Sequence, residues 1–212
     1  MKDPYSPRKA ARQSRAHDTV ESILQASAQI VLSQGLSLLT TNRIAERAGV
    51  SVGSLYQYFP GRDAVLHSLI EREFNRGVDV FIAGIEAIDP TRVSLDDAIV
   101  RVIDLVFGYM VQHRPFYRQL LLAALSIKHM HFTLANDARV LSALRAKLLS
   151  YGDEVDREGL DLGTFALLYA LKGVQIGVIF GDRSEDVAGL RALFVRMAKA
   201  CLVAGGQARR AA

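Results

Sequence analysis

Residues 40–59 read TTNRIAERAGVSVGSLYQYF and say more about the fold than any other stretch of this 212-residue chain. Thr40 or Thr41 starts a helix, its hydroxyl capping open backbone N–H groups. Ile44, Ala45 and Ala48 then make one apolar stripe, while Asn42, Arg43, Glu46 and Arg47 face outward. Gly49 stands where a helix C-terminus wants a residue that tolerates positive φ. Val50 plugs the turn, and Ser51 is an N-cap for a second helix over Val52–Tyr58. So short a helix is marginal alone and has to be held by packing, through Leu55 and Phe59. Its other side carries Ser54, Tyr56, Gln57 and Tyr58, which suit bases and phosphates. The pattern is a helix-turn-helix whose second helix fits a major groove.

The same segment resembles the DNA-binding domain of the TetR family of transcriptional regulators. Thr40-Thr41, Ile44-Ala45, Ala48 to Ser51, Gly53, Leu55-Tyr56 and Tyr58-Phe59 fall at the family's positions. The likeness extends back over a helix, His17–Gln34, closed by Gly35, and forward to Arg62 and Leu66. Arg62 departs from the family's more frequent Lys, although either cation holds a phosphate. The resemblance implies an all-α fold of nine helices, a three-helix head on a six-helix body. It implies a basic flexible arm at 1–15, a DNA-binding domain at 16–66, a ligand-binding and dimerisation domain at 67–206 and a tail at 207–212.

Charge is located where such a head needs it. Residues 1–62 hold eight Lys/Arg against four acids, and the remainder holds 18 of each sign. The whole net charge of +4 therefore sits in the first third, as phosphate neutralisation requires. Half of the residues are hydrophobic, enough for a real core. The N-terminus is polar and lacks the apolar region of a secretory signal. The longest apolar stretch, Phe165 to Phe180, is broken by Lys172 and Gln175 and reads as too short to span a membrane. Cys201 is a single cysteine, which rules out an internal disulfide and fits a reducing cytosol. Its apolar helical run predicts a buried structural thiol, with a redox sensor as the other reading.

Elsewhere the chain reads as helices alone, with no period-two run between turn signals. A long helix is expected over Arg62–Ala87, broken by Asp89-Pro90. Others follow over Ser94–Gln112, Pro115–Lys128, Thr133–Ser150, Leu162–Phe180 and Glu185–Val203, with Pro115 in a first helical turn.

Several residues are candidates for DNA contact. Arg62 lies in the first turn of its helix, where the macrodipole disfavours a cation, and a phosphate would supply the missing negative charge; Asp63 is the alternative partner. Thr41, like Thr40, sits at a helix N-terminus and can aim its hydroxyl at a phosphate or serve as a plain cap. Tyr58 suits the DNA backbone and Tyr56 the backbone or a thymine methyl, with packing inside the head as the rival for both. Gln57, Ser54 and Val52 suit base edges, and Gly53 permits close approach to DNA or to another helix. Arg43 and Ser51 complete the set, and the arm Lys2–Arg15 either reaches a minor groove or is only diffusely attracted.

Along Leu162–Phe180, Ala166, Ala170, Gly173 and Gly177 make one stripe of small residues. Glycine inside a helix costs about 1 kcal/mol relative to alanine, so the stripe needs a close helix neighbour. In TetR-like proteins the last two helices pair with their copies as a four-helix bundle. That resemblance makes the stripe, with Leu190, Leu193, Phe194 and Met197, a homodimer surface; packing within the chain is the other reading. The resemblance also implies a ligand pocket. Phe81, Ile85, Ile103, Phe107 and Met110 are its candidates on the earlier helices. Phe116, Leu120, Leu121, Phe165 and Tyr169 are those on the later ones, or all are simply core. Such a lining suits a small, mainly apolar effector, with Tyr109, Tyr117, Gln112 or His113 adding polar contacts.

Two chemical alternatives are weaker. Gly49-Val50-Ser51-Val52-Gly53 matches a hydrolase nucleophile pattern, but that motif follows a strand and this one follows a charged helix. His129 and His131 point to different helix faces, and with His113 they lack an acid or cysteine at ligand spacing, so neither a metal nor any other cofactor is expected. The expectation is a cytoplasmic, ligand-responsive, homodimeric DNA-binding regulator, a repressor more than an activator, without catalytic residues and without a membrane partner. A helical regulator working through a protein partner is the alternative.

Overall fold

Helix ends in this protein follow the capping chemistry of its sequence. The computed structural model describes residues 14–126, 132–181 and 186–204. Among them are eight α-helices: α1 Ser14–Gln34, α2 Thr41–Ala48, α3 Val52–Tyr58, α4 Arg62–Glu86, α5 Leu95–Ser126, α6 Phe132–Leu149, α7 Leu160–Phe180 and α8 Val187–Leu202. Short 3₁₀ turns lie at Leu36–Leu38 and Gly152–Glu154. Extended pairing among the described residues is limited to an isolated antiparallel bridge, Val155 to Val203.

Thr40 caps α2 by accepting from Arg43 N at 3.3 Å, and Gly49 closes it in the left-handed region at φ 68°. Ser51 caps α3 by accepting from Ser54 N at 3.0 Å. Ser94 caps α5 in the same way at 3.2 Å and donates to Asp97 Oδ2 at 2.8 Å. After α4, Asp89 Oδ1 accepts from both the N–H and the hydroxyl of Thr91, at 2.9 and 2.7 Å. Those two bonds, the hydroxyl first, hold the Asp89 carboxyl below the ordinary carboxylate range.

The expected nine helices become eight among the described residues because α5 runs unbroken through Pro115. Gln112-His113-Arg114 offers no capping side chain for a fresh start. Burial on both sides of the proline, at Phe107 and Met110 before it and Phe116 and Leu120 after it, offsets the lost hydrogen bond. Helix α7 is also longer than the apolar stretch 165–180: it starts at Leu160, and its 21 residues are by length and composition alone long and apolar enough to cross a membrane. The expectation that this segment is too short is thereby corrected.

The chain divides into two compact units, and the division falls inside α4 and α5. In the first, residues up to 75 combine with 115–132, so the unit extends well past residue 66. Its core joins Ile23 and Ile30 of α1, Ile44 of α2, Leu55 of α3, Phe59 and Leu66 to Phe116 and Leu120 of α5. Around it, Arg72 bridges Glu21 at 3.2 Å and Glu73 at 2.6 Å, and Tyr117 donates to Glu73 O at 3.0 Å.

The second unit takes 76–114 and 133–212. Lys147 donates to the carbonyls of Glu86 and Ile88, placing a cation at the C-terminus of α4. Arg191 and Lys199 of α8 pair with Asp104 and Asp96 of α5. Helices α7 and α8 approach closely near Gly163, where an added Cβ would stand 3.3 Å from Cys201 O. Cys201 itself is exposed, which corrects the expectation of a buried thiol: Phe194, Ala198 and Leu202 form the buried face of α8, and Cys201 is turned off it.

Candidate nucleic-acid interface

The helix-turn-helix is assembled from its caps outward. Ile44, Ala45, Leu55 and Phe59 are sealed in the head, so α2 and α3 are each fixed by one face. Burying Leu55 and Phe59 is worth about 2–3 kcal/mol apiece, which offsets the poor intrinsic stability of a seven-residue helix. Thr41 Oγ1 meets Tyr56 Oη at 3.5 Å, joining the start of α2 to the middle of α3.

On the outer side of α3, Val52, Gly53, Tyr56 and Gln57 are exposed. Ser54 is half-buried, and its hydroxyl lies 2.8 Å from Ser51 Oγ, so it is shared with the cap. Tyr58 is half-buried against the head core. Among the described residues a Cβ at Gly53 would meet only Ser51 Oγ, at 3.8 Å, so packing against their helices does not account for this glycine. On α2, Arg43 donates to Gln34 Oε1 at 3.0 Å and Arg47 to Gln29 Oε1 at 2.8 Å, and α1 thereby holds both arginines. The sequence reading missed these glutamine partners, which carry no local signal.

Arg62 is placed differently from expectation. Its Nε donates to Leu39 O at 2.7 Å, its Nη2 to Leu36 O at 3.1 Å and its Nη1 to Asp63 Oδ1 at 3.1 Å. The negative partners that a cation at a helix N-terminus requires are supplied inside the head, Asp63 among them, and no phosphate is needed to complete them.

The other two candidate sets separate. Ile103, Phe107 and Met110 are buried in the second unit, with Ile85, while Phe81 is half-buried. Phe116 and Leu120 belong to the head core instead, because α5 continues past Pro115 into that unit. Phe165 and Tyr169 are exposed, with rings 4.6 Å apart. Tyr169 donates to Asp137 Oδ2 at 2.9 Å, and the buried Asp137 also pairs with Lys172. That hydrogen bond, and secondarily burial, holds the Tyr169 phenol above its ordinary range. Among the described residues nothing lies within 4 Å of a Cβ at Gly173 or Gly177, so the stripe with Ala166 and Ala170 is uncovered by them at those glycines. Leu193 and Met197 are exposed and Leu190 half-buried, but Phe194 turns inward to Phe107 at 6.1 Å. Among the described residues no group of His, Cys, Asp and Glu could hold a metal ion; His129, His131 and most of the arm lie outside them.

Comparison with known proteins agrees with this geometry. Residues 23–69 match the model of bacterial regulatory proteins, tetR family, a span from α1 into α4. An HTH-type transcriptional regulator of Mycobacterium tuberculosis is 27% identical over 137 residues, which are 65% of this chain and 67% of the relative. A TetR transcription regulator from Haloarcula marismortui superposes with a TM-score of 0.68 at 24% identity, over 88% of this chain and 99% of that one. SmeT of Stenotrophomonas maltophilia, the repressor of the multidrug efflux pump SmeDEF, solved also with triclosan, gives 0.61 in that complex at 18% identity, over 89% and 93%. These likenesses fix the fold, and residues 23–69 carry the helix-turn-helix of the TetR family of transcriptional regulators.

Proposed function

We propose that this protein is a cytoplasmic homodimeric repressor that binds a palindromic operator and changes affinity when a small, mainly apolar molecule binds. The observation that carries the reading is the two-sidedness of α3: Leu55 is sealed in the core while Val52, Gly53, Tyr56 and Gln57 are exposed. Gln57 and Val52 face base edges, with Ser54 beside them, and Tyr56 takes a thymine methyl or the backbone. Thr40 and Thr41, at the N-terminus of α2, address a phosphate, and Arg43 adds charge.

Pairing rests on the uncovered glycines of α7 with Leu193 and Met197 of α8. That open apolar face accounts for the membrane-like composition of α7 without a membrane. An apolar effector is supported by the buried Ile103, Phe107 and Met110, and by the triclosan complex of SmeT. Its binding would favour one of two arrangements of the heads, acting through α4 and α5, whose residues belong to both units.

Selection from a random DNA pool tests the proposal. An enriched palindrome, its half-sites about one helical turn apart, is expected, with affinity falling steeply as salt rises. No enrichment, with or without a metabolite extract, would overturn it and direct attention to protein partners.

A further inference from the structure

The turn between α1 and α2 leans on side chains from outside it. Gly35 holds φ 86° and ψ 166°, a conformation open essentially to glycine alone. The internal bonds of the turn are long, Leu38 N to Gly35 O at 3.3 Å and Leu39 N to Leu36 O at 3.2 Å. Two side chains from outside the helix-turn-helix take up the slack. Gln119 Oε1 accepts from Leu36 N at 2.8 Å, across 83 residues of chain, and Arg62 donates to the carbonyls of Leu36 and Leu39. Leu36 is thus gripped at both its N–H and its carbonyl. Leu36 lies four residues before Thr40, the cap of α2, and the fully buried Leu39, whose carbonyl Arg62 also holds, lies directly before it.

We infer that Gln119 is a positioning residue for DNA binding: its amide oxygen on α5 holds the turn that sets where α2 begins. The inference rests on the DNA-binding reading above. Gln119 occupies the same unit as the head and is flanked by Phe116, Leu120 and Ala123 in the head core, so its side chain is delivered by packed neighbours. Without the acceptor, Leu36 N–H loses its partner and the turn samples other conformations. DNA must then select the competent fraction, and the apparent affinity falls by that fraction.

The test uses the full-length protein and the duplex recovered by selection, with Gln119→Met, similar in shape but without the acceptor, and Gln119→Glu, which keeps one. Gln119→Met is expected to raise Kd about five- to ten-fold at every salt concentration. The salt slope should stay unchanged, since no phosphate contact is lost. Hydrogen exchange at the Leu36 amide should quicken in Gln119→Met, and Gln119→Glu should restore both Kd and protection. Wild-type affinity in Gln119→Met, or equal damage in Gln119→Glu, would overturn the inference. If the wild-type protein selects no duplex, the DNA-binding reading fails instead, and the Leu36 exchange rates in the two variants still decide whether Gln119 holds the turn.

Discussion

Substituting Arg62 by Ala removes three hydrogen bonds within the head, two of them to backbone carbonyls. A drop of about 1–3 kcal/mol in stability is expected by thermal or denaturant melting. Gln57→Ala, at an exposed position of α3, should leave the melting curve unmoved and cost about 1–3 kcal/mol in operator affinity, read by DNA titration. Gln57 is therefore the cleaner probe of base recognition. Glycines divide the same way: Gly49 at φ 68° is there for backbone strain, and Gly49→Ala should destabilise by about 1 kcal/mol although nothing lies within 4 Å of the added Cβ. Gly53→Ala meets no such strain and should leave stability unchanged or raised. Much of this was legible beforehand, because caps and helix ends are local. The fate of Arg62 was not, since its partners lie 23 and 26 residues away and a sequence shows no carbonyl directions.

Element boundaries show where local reasoning suffices. Helices α2 and α3 fall where Thr40, Gly49 and Ser51 put them, because each end has its own capping bond. At Pro115 the same logic failed: a proline permits a helix start but does not compel one, and burial on both sides carried α5 across it. Which face of a helix is covered is less legible still. Phe116 and Leu120 have the same apolar character as Phe107 and Met110, yet they serve a different unit. The turn after α4 gives a prediction at this scale. Asp89 is held low in pKa by Thr91, so its share of stability is present above the unfolded carboxylate pKa and is lost as pH falls through the folded value. Thr91→Val removes the hydroxyl bond and keeps the N–H bond, so the Asp89 titration, followed by NMR, should move part of the way back toward the ordinary carboxylate range and weaken that acid-side dependence.

At the scale of the molecule, α7 is the informative element. Leu162 is 74% exposed and Ile176 52%, on a helix whose glycines 173 and 177 meet nothing among the described residues. Gly177→Arg should therefore leave the fold of the single chain intact by circular dichroism. It should shift sedimentation from dimer to monomer and weaken operator binding by more than ten-fold, because two half-sites would no longer be engaged together. The residues at stake in pairing and those of α3 belong to different compact units, and this separation has a genetic consequence. If the protein pairs as proposed, a copy whose recognition helix is ruined would keep its pairing face, and in a cell holding both kinds it would enlist intact copies into mixed couples that occupy only one half-site. Such an allele would be dominant over the wild type, whereas one damaged on α7 would be recessive.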